Sequence, residues 1–345
     1  MAYQLETSRL DDFLGAVSVG RTVFALGPEN EHIHLVRSET WQPGKHVLGA
    51  YRPIEPLKSL VFQPRELLGT LMKEGPAVDL PEQIVIGVKN CDLSALKIHD
   101  YVFLNSEPPD PVYKEAREKT LLIGCDCTDC RETCFCPVVN EQPFAREGFD
   151  VNLSPTPDGI VVESGSDKGQ TLLGEVQNLL KPADEKILAA REQAREAMTQ
   201  KVANAAGQKG LRPGQDLQKA IAGTAEADLW EEFAANCVEC GACNFICCTC
   251  HCFLLADGRS KAGLPSRLLQ WDSCLFKTFA QVAGGGNPRK HRAERLYNRF
   301  DKKFNFFPQV LNMYACDGCG RCIEACTGNI DIREVLNKAI TQTGG

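Results

Sequence analysis

Two kinds of apolar pattern in the first half of the chain predict β-strands. Apolar and polar positions alternate in EHIHLVR (residues 31–37), and unbroken apolar runs occupy residues 84–88 and 120–124. Alternation is typical of a half-exposed strand, and a short apolar run is typical of a strand buried on both faces. A helix is predicted to open at Asp92, whose carboxylate can cap the first turn of LSALKIHDYV. We therefore predict an α/β domain over residues 1–165.

Helical patterns dominate the rest of the chain. Residues 182–207 start with Pro, carry acidic residues in the first turn and end on Gly, which predicts one helix. Its predicted apolar stripe is Ile187, Ala190, Ala194, Met198 and Val202. The Gly- and Pro-rich GQKGLRPGQD (residues 207–216) is predicted to be a linker. We assign residues 166–226 to a helical insert with this linker, and residues 227–345 to a mostly α-helical domain.

Composition narrows the class of protein. The 345 residues are 43% hydrophobic and 24% charged, which is ordinary for a chain with buried cores and excludes wholesale disorder. No apolar run approaches the roughly 18 residues of a membrane-spanning helix, so direct membrane insertion is not expected. The net charge of -7 argues against binding to nucleic acid. MAYQLETSRLDD at the amino terminus lacks the basic and apolar regions of a signal peptide, so we expect a cytoplasmic protein.

The chain has 18 cysteines, an unusual number for a protein expected in a reducing compartment. Disulfides explain them poorly there, and their grouping indicates metal binding. Two segments, CVECGACNFIC (residues 237–247) and CDGCGRCIEAC (residues 316–326), share the spacing C-x2-C-x2-C-x3-C. In two-cluster ferredoxins the first three cysteines of such a motif hold one [4Fe-4S] cluster and the fourth holds the other. The predicted ligands are Cys237, Cys240, Cys243 and Cys326 for the first cluster, and Cys316, Cys319, Cys322 and Cys247 for the second.

Two features of these motifs leave alternatives open. Zinc also binds paired C-x2-C units, although the third and fourth cysteines of each motif favour iron and sulfur. The proline that usually follows the fourth cysteine is Cys248 in the first motif, so Cys247 and Cys248 compete for the second cluster. Residues 248–315 make a longer connection than a compact bacterial ferredoxin has, which favours a helical two-cluster domain. Gly241 and Gly320 follow the second cysteine of each motif, where the absence of a Cβ lets the backbone curve around a cluster.

A third group of cysteines follows the second predicted buried strand. In open α/β sheets ligands collect at the carboxyl ends of strands, and Cys91 leaves the end of the neighbouring predicted strand. We therefore predict a further four-thiolate site, with zinc binding or a redox-active dithiol as alternatives. Its predicted ligands are Cys91, Cys127, Cys134 and Cys136, with Cys125 and Cys130 as spares.

Two other segments carry residues without an assigned role. The dense CCTCHC (residues 247–252), with Cys274, either supplies a fourth cluster or contains buried free thiols. RKHRAERLYNRFDKK (residues 289–303) places Arg292, Arg295 and Arg299 on one helical face, which is expected to be solvated or to dock an acidic partner. The chain has no G-x-G-x-x-G after a strand and no phosphate-binding loop, so any nucleotide site is expected on a partner.

Together, these motifs resemble the beta subunits of cytoplasmic hydrogenase/sulfur reductase (sulfhydrogenase) complexes, and they are also similar to the 4Fe-4S dicluster-domain subunit of anaerobic sulfite reductase. The matching segments are KNCDLSAL, REKTLLIGCDCTDCRETCFC, CVECGACNFICCTCHCF, WDSCLFKTFAQVAGGGNPRKHR and CDGCGRCIEAC. The resemblance runs from about residue 52 to the carboxyl end. It supports Cys91, Cys127, Cys134 and Cys136 as ligands and points to Cys250, Cys252 and Cys274, whereas Cys125, Cys130 and Cys248 depart from the family pattern.

The resemblance implies an electron-transfer subunit with at least two [4Fe-4S] clusters, a third at the amino-terminal cysteines and a fourth as an open alternative. Such a subunit relays electrons between a flavin-containing, NAD(P)H-binding subunit and a catalytic subunit of the hydrogenase, sulfur or sulfite reductase, or heterodisulfide reductase type. A rival hypothesis makes this chain itself a reductase of disulfides, polysulfides or sulfite, with an unusual cluster at CCTCHC.

Overall fold

The structure is a computed structural model that describes residues 2–70, 73–74, 80–259 and 263–344. The strands in these ranges are β1 (Ala2–Leu5), β2 (Thr22–Glu29), β3 (His32–Ser38), β4 (Arg65–Thr70), β5 (Lys73–Glu74), β6 (Gln83–Val88), β7 (Thr120–Cys125), β8 (Val151–Thr156), β9 (Gly159–Ser164), β10 (Lys181–Pro182), β11 (Phe253–Arg259) and β12 (Pro265–Trp271). The α-helices are α1 (Leu10–Val17), α2 (Lys58–Val61), α3 (Asn90–Leu104), α4 (Pro111–Glu118), α5 (Asp167–Glu175), α6 (Glu185–Gly207), α7 (Leu217–Ala222), α8 (Leu229–Ala235), α9 (Ala242–Phe245), α10 (Arg292–Asp301), α11 (Phe307–Leu311), α12 (Arg321–Glu324) and α13 (Ile332–Thr343). A π-helical segment, Lys302–Phe306, joins α10 to α11.

The main sheet of the amino-terminal region has the strand order β10-β1-β9-β8-β7-β6-β2-β3. Its centre is parallel, because β2 pairs with β6, β6 with β7 and β7 with β8 in the parallel sense. The remaining pairs of this sheet are antiparallel. The prediction that the two buried apolar runs are neighbouring strands of an α/β sheet is therefore confirmed.

Both faces of this sheet are covered, which is why its central strands read as continuous apolar runs. Ile84 and Ile86 of β6 contribute to a core that includes residues of α1 and α5. Val85, which lies between them in the strand, belongs to the core on the other face of the sheet, with Leu93 and Leu96 of α3. Successive side chains of a strand point to opposite faces, so a strand between two helical layers needs apolar residues at every position.

The carboxyl-terminal region contains a strand pair that the helical prediction missed. β11 and β12 form an antiparallel hairpin, and β12 pairs with β4, which pairs with β5. This four-stranded sheet combines segments about 200 residues apart in the sequence. The description of residues 227–345 as mostly helical therefore needs correction, since the hairpin lies between α9 and α10.

The helices of the carboxyl-terminal region share one core with the loop after β7. Trp230, Phe300 and Leu336 are buried there, and Phe135 and Val138 from that loop belong to the same cluster. The loop is thus fixed between the main sheet and the carboxyl-terminal helices.

Two local predictions are wrong in detail. Asp92 does not cap α3, because the helix begins at Asn90 with Lys89 as its N-cap residue. In α6, Ala194 of the predicted apolar stripe is exposed, whereas Arg195 is buried and pairs with Asp126 at 2.7 Å between Nε and Oδ2. None of the described helices is long and apolar enough to cross a membrane.

Candidate iron–sulfur centre

Cysteines of the amino-terminal region surround a cavity at the carboxyl edge of the main sheet. Cys91 lies in the first turn of α3, directly after β6, and the other cysteines lie in the loop after β7. Because β6 and β7 are parallel neighbours, their carboxyl ends bring these segments together. The cavity is lined by Cys91, Cys127, Cys130, Cys134 and Cys136, and by Asp317 and Cys319 from the second motif. Cys125 does not line it, and its Sγ lies 3.5 Å from the carbonyl oxygen of Asp126.

Burial holds the thiols of Cys127 and Cys134 in their neutral form. Burial raises the pKa of Cys127 to about 12, against the opposing charge of Lys89. Burial likewise raises the pKa of Cys134 to about 11, although Arg52 acts in the opposite direction. A metal ligand must be deprotonated, so binding at this site would release protons.

The first motif and the last cysteine of the second motif line another cavity. Its walls include Cys237, Cys240, Cys243 and Cys326, which are the ligands predicted for the first cluster. Cys322 of the second motif also contributes to this wall. The fourth cysteine of one motif thus reaches the first three of the other, as the ferredoxin pattern requires.

The two motifs have the same backbone conformation at their central glycines. Gly241 and Gly320 each have φ 73° and ψ −4°, and each immediately precedes a short helix. This left-handed conformation favours glycine. A Cβ on Gly320 would also lie 2.4 Å from the carbonyl oxygen of Thr133, so the second motif packs directly on the amino-terminal loop.

The structure places both Cys247 and Cys248 beside the second motif. The Sγ of Cys248 lies 3.8 Å from the Sγ of Cys319 and 3.2 Å from Oδ2 of Asp317. A hydrogen bond from Cys248, with the charges of Arg321 and Arg52, lowers the pKa of Cys319 to about 6, although burial opposes the shift. Cys247 has a different neighbour, the ammonium group of Lys303, at 3.4 Å from its Sγ.

The cysteines after the first motif form a continuation of the same thiol-rich region. A hydrogen bond from Cys274 lowers the pKa of Cys252, and Cys250 hydrogen-bonds to Cys247. The side-chain amide of Asn244 donates to the Sγ of Cys274 at 3.0 Å. Cys250, Cys252 and Cys274 therefore lie together, beside the carboxyl end of the first-motif segment.

Part of the basic segment of residues 289–303 is turned inward, contrary to both expectations for its helical face. Arg295 is buried and pairs with Glu239, and Arg299 and Lys303 are buried among the cysteine loops. Arg292 remains exposed but donates to the carbonyl oxygen of Cys237 at 2.8 Å. The sequence pattern identified this helical face but predicted it to be solvated or to dock an acidic partner, because the local pattern does not show its contact with the cysteine-rich loops.

The donor set fits iron–sulfur clusters. All eighteen cysteines lie in the described part of the chain, and all are free. Eleven of them line the two cavities described above. Among the described residues, no group of three or more His, Cys, Asp or Glu could hold a single metal ion. Lys58 is also buried here, and its Nζ donates to the carbonyl oxygens of Asn244 at 3.2 Å and Cys250 at 2.9 Å. Buried cations next to clustered thiols suit a group that carries negative charge.

Comparison with known proteins agrees with this chemistry. Residues 236–330 match the family described as a 4Fe-4S dicluster domain. The chain is 34% identical over 289 residues to the sulfhydrogenase 2 subunit beta of Pyrococcus furiosus, and the match covers 83% of each chain. No solved structure matches the chain. The chain therefore belongs to the family of sulfhydrogenase beta subunits and contains a 4Fe-4S dicluster domain.

Proposed function

We propose that this chain is the iron–sulfur electron-transfer subunit of a multi-subunit oxidoreductase. It relays electrons between a flavin-containing, NAD(P)H-binding subunit and a separate catalytic subunit. The name of the Pyrococcus relative favours a catalytic partner of the hydrogenase or sulfur-reducing type. [4Fe-4S] clusters supply one-electron reduction and oxidation at such a site.

The serial order of the cysteine sites carries this proposal. Cys319 of the second motif lines the cavity of the amino-terminal site, and Cys322 of the same motif lines the cavity of the first motif. The second motif therefore lies between the other two sites. A relay needs redox groups in series at short distances, whereas a single reductase site does not need three adjoining cysteine sites.

We propose one set of ligands for each site in this series. The proposed ligands are Cys91, Cys127, Cys134 and Cys136 at the amino-terminal site, Cys316, Cys319, Cys322 and Cys247 at the second motif, and Cys237, Cys240, Cys243 and Cys326 at the first motif. Most of these side chains are buried or half-buried, which excludes water and fixes the sulfur positions. Cys240 is exposed, so the first-motif end of the series faces solvent and is the proposed contact with a redox partner.

Metal content of the anaerobically purified protein tests the number of sites. Each cubane contributes four irons and normally takes four cysteines, so three sites predict about twelve irons and as many acid-labile sulfides per chain. About sixteen irons would assign Cys250, Cys252 and Cys274 to a fourth cluster, and about eight would leave the amino-terminal cysteines without one. Zinc without iron or sulfide would overturn the proposed function.

Single cysteine variants test the assignment of each site. Cys240→Ala and Cys319→Ala should each remove a different component of the electron paramagnetic resonance spectrum of the dithionite-reduced protein. Cys125→Ala is the matched control, because this cysteine is buried but does not line the cavity. Retention of every spectral component in both ligand variants would contradict the assignment.

A further inference from the structure

Two cations of the basic segment of residues 289–303 are buried among the cysteine loops without a carboxylate partner. Arg299 and Lys303 are each only 5% exposed. Among the residues that the structure describes, neither has an Asp or Glu within ion-pair distance. An isolated buried charge is strongly unfavourable, so a counter-charge is expected nearby.

Lys303 contacts the second-motif site directly. Its Nζ lies 3.4 Å from the Sγ of Cys247 and donates to Oγ1 of Thr249 and the carbonyl oxygen of Ala315, both at 2.8 Å. Ala315 immediately precedes Cys316, the first cysteine of the second motif. The ammonium group is therefore held by three acceptors, one of which is a proposed ligand.

Arg299 lies between the two motifs. Its Nε donates to Oδ1 of Asn244 at 2.9 Å, and its guanidinium also reaches the carbonyl oxygen of Cys243 at 3.4 Å. The Arg299 side chain lines the first-motif cavity together with Cys243 and Cys322. These two cysteines belong to the first and the second motif, so the guanidinium charge acts on both sites.

Helical spacing places both cations on the same side of the segment. They are four residues apart, which is about one turn from α10 into the π-helical segment. Lys302, between them in the sequence, is exposed and lies over the ring of Phe306 with 5.0 Å between Nζ and the ring centroid. Arg295, one turn earlier, has the Glu239 carboxylate as its partner. Arg299 and Lys303 thus differ from their basic neighbours in being both buried and unpaired with an acid.

We propose that Arg299 and Lys303 are fixed counter-charges that raise the reduction potential of the second-motif cluster, the middle member of the relay. The inference rests on the proposed function and deepens it. Reduction adds one electron, and therefore one negative charge, to the cluster without making or breaking a bond. A buried positive charge stabilises that added charge, and net charge and hydrogen bonds to sulfur are recognised determinants of cluster potential.

Charge-neutral variants test this proposal through the midpoint potential. Lys303→Gln and Arg299→Gln are compared with Lys302→Gln, which removes the same charge as Lys303→Gln from the adjacent exposed position. The readout is an anaerobic redox titration of the holoprotein followed by electron paramagnetic resonance. Each buried variant should lower the equilibrium constant for reduction of the second-motif cluster at least tenfold, which is about 59 mV for one electron. Lys302→Gln should change it less than twofold.

Charge-preserving variants separate charge from packing. Arg299→Lys and Lys303→Arg should keep the equilibrium constant for reduction of the second-motif cluster within twofold of the wild-type value. If Lys303→Gln loses iron while Lys303→Arg keeps all of it, the result would also support the counter-charge. If both variants lose iron, Lys303 has a packing role and the inference is overturned. Unchanged potentials in fully loaded Gln variants would overturn it as well, while the proposed function would stand. A wild-type protein without iron and sulfide would instead refute the proposed function.

Discussion

A buried ion pair between Arg321 and Asp92 joins the second motif to the main sheet region, and its removal should be strongly destabilising. Arg321 opens α12, and Asp92 lies in the first turn of α3. The guanidinium forms two hydrogen bonds to the carboxylate, of 2.6 Å from Nη2 to Oδ2 and 3.1 Å from Nη1 to Oδ1. The side chains are 1% and 2% exposed. Arg321 also donates from Nε to the carbonyl oxygen of Pro53, and Asp92 accepts from the backbone N–H of Leu57.

The expected loss of stability depends on whether a substitution leaves one buried charge without its partner. Asp92→Asn keeps the shape of the side chain but leaves the Arg321 charge buried without its carboxylate partner. Breaking a buried pair in this way costs about 3–5 kcal/mol. The double variant Asp92→Leu, Arg321→Met removes both charges. Replacing a whole pair by apolar residues is often neutral or even stabilising by about 1–4 kcal/mol, so the double variant should be more stable than the single one.

The assay is anaerobic denaturant unfolding of the holoprotein, with Arg37→Met as the control. Arg37 pairs with Glu39 at 3.8 Å on the surface, with both side chains largely exposed, so its removal should leave the unfolding midpoint unchanged. The reasoning would be refuted if Asp92→Asn lowered the free energy of unfolding by less than about 1 kcal/mol. It would equally be refuted if the double variant were as unstable as the single one.

Three further predictions follow from individual contacts. Asp110 caps α4 by accepting from the backbone N–H groups of residues 112 and 113, so Asp110→Ala should lower the free energy of unfolding by about 1 kcal/mol in denaturant titrations. Burial, with the charge of Asp110, raises the pKa of Glu66 from 4.5 to about 7. The folded state therefore binds this proton more tightly than the unfolded state, so its stability is greatest below pH 4.5 and falls as the pH rises to about 7. Glu66→Gln should reduce this loss of stability by up to about 3 kcal/mol. The unfolding midpoint of the variant should then fall less between pH 5 and pH 8 than that of the wild-type protein, and an identical fall in the two proteins would contradict the prediction. A Cβ on Gly318 would lie 2.5 Å from the backbone nitrogen of Cys136, so Gly318→Ala should displace that loop and reduce iron per chain, whereas Gly174→Ala, where the Cβ meets open space, should not.

Sequence patterns predicted those parts of the fold and site that depend on local or repeated features. The buried strands β6 and β7 could be predicted because each is apolar at consecutive positions. The position of Cys91 could be predicted from these strands, because a residue directly after a parallel strand lies at the carboxyl edge of the sheet. The glycines of the two motifs could be predicted because the motif repeats and its curvature is local.

Features that depend on distant partners could not be predicted in this way. Asp92 has the position and chemistry of a helix cap, and only the approach of Arg321 from far along the chain gives it a different role. The hairpin of β11 and β12 was missed because its pairing with β4 stabilises it from a remote segment. The basic helix was predicted to be solvated or to dock an acidic partner, because its sequence shows the charges but not the cysteine loops that cover them.

The sheet shared by β4, β5, β11 and β12 has a consequence for synthesis of the protein on the ribosome. Strand β4 ends at Thr70, but its partner β12 begins only at Pro265. At translation rates of about 5–20 residues per second, β4 emerges roughly 10–40 s before the strand that pairs with it. During this interval its backbone edge is a template for pairing with other chains, a known aggregation hazard. The amino-terminal region therefore cannot complete its native structure as a nascent fragment, and chaperone protection is expected to matter most before residue 271 has been made.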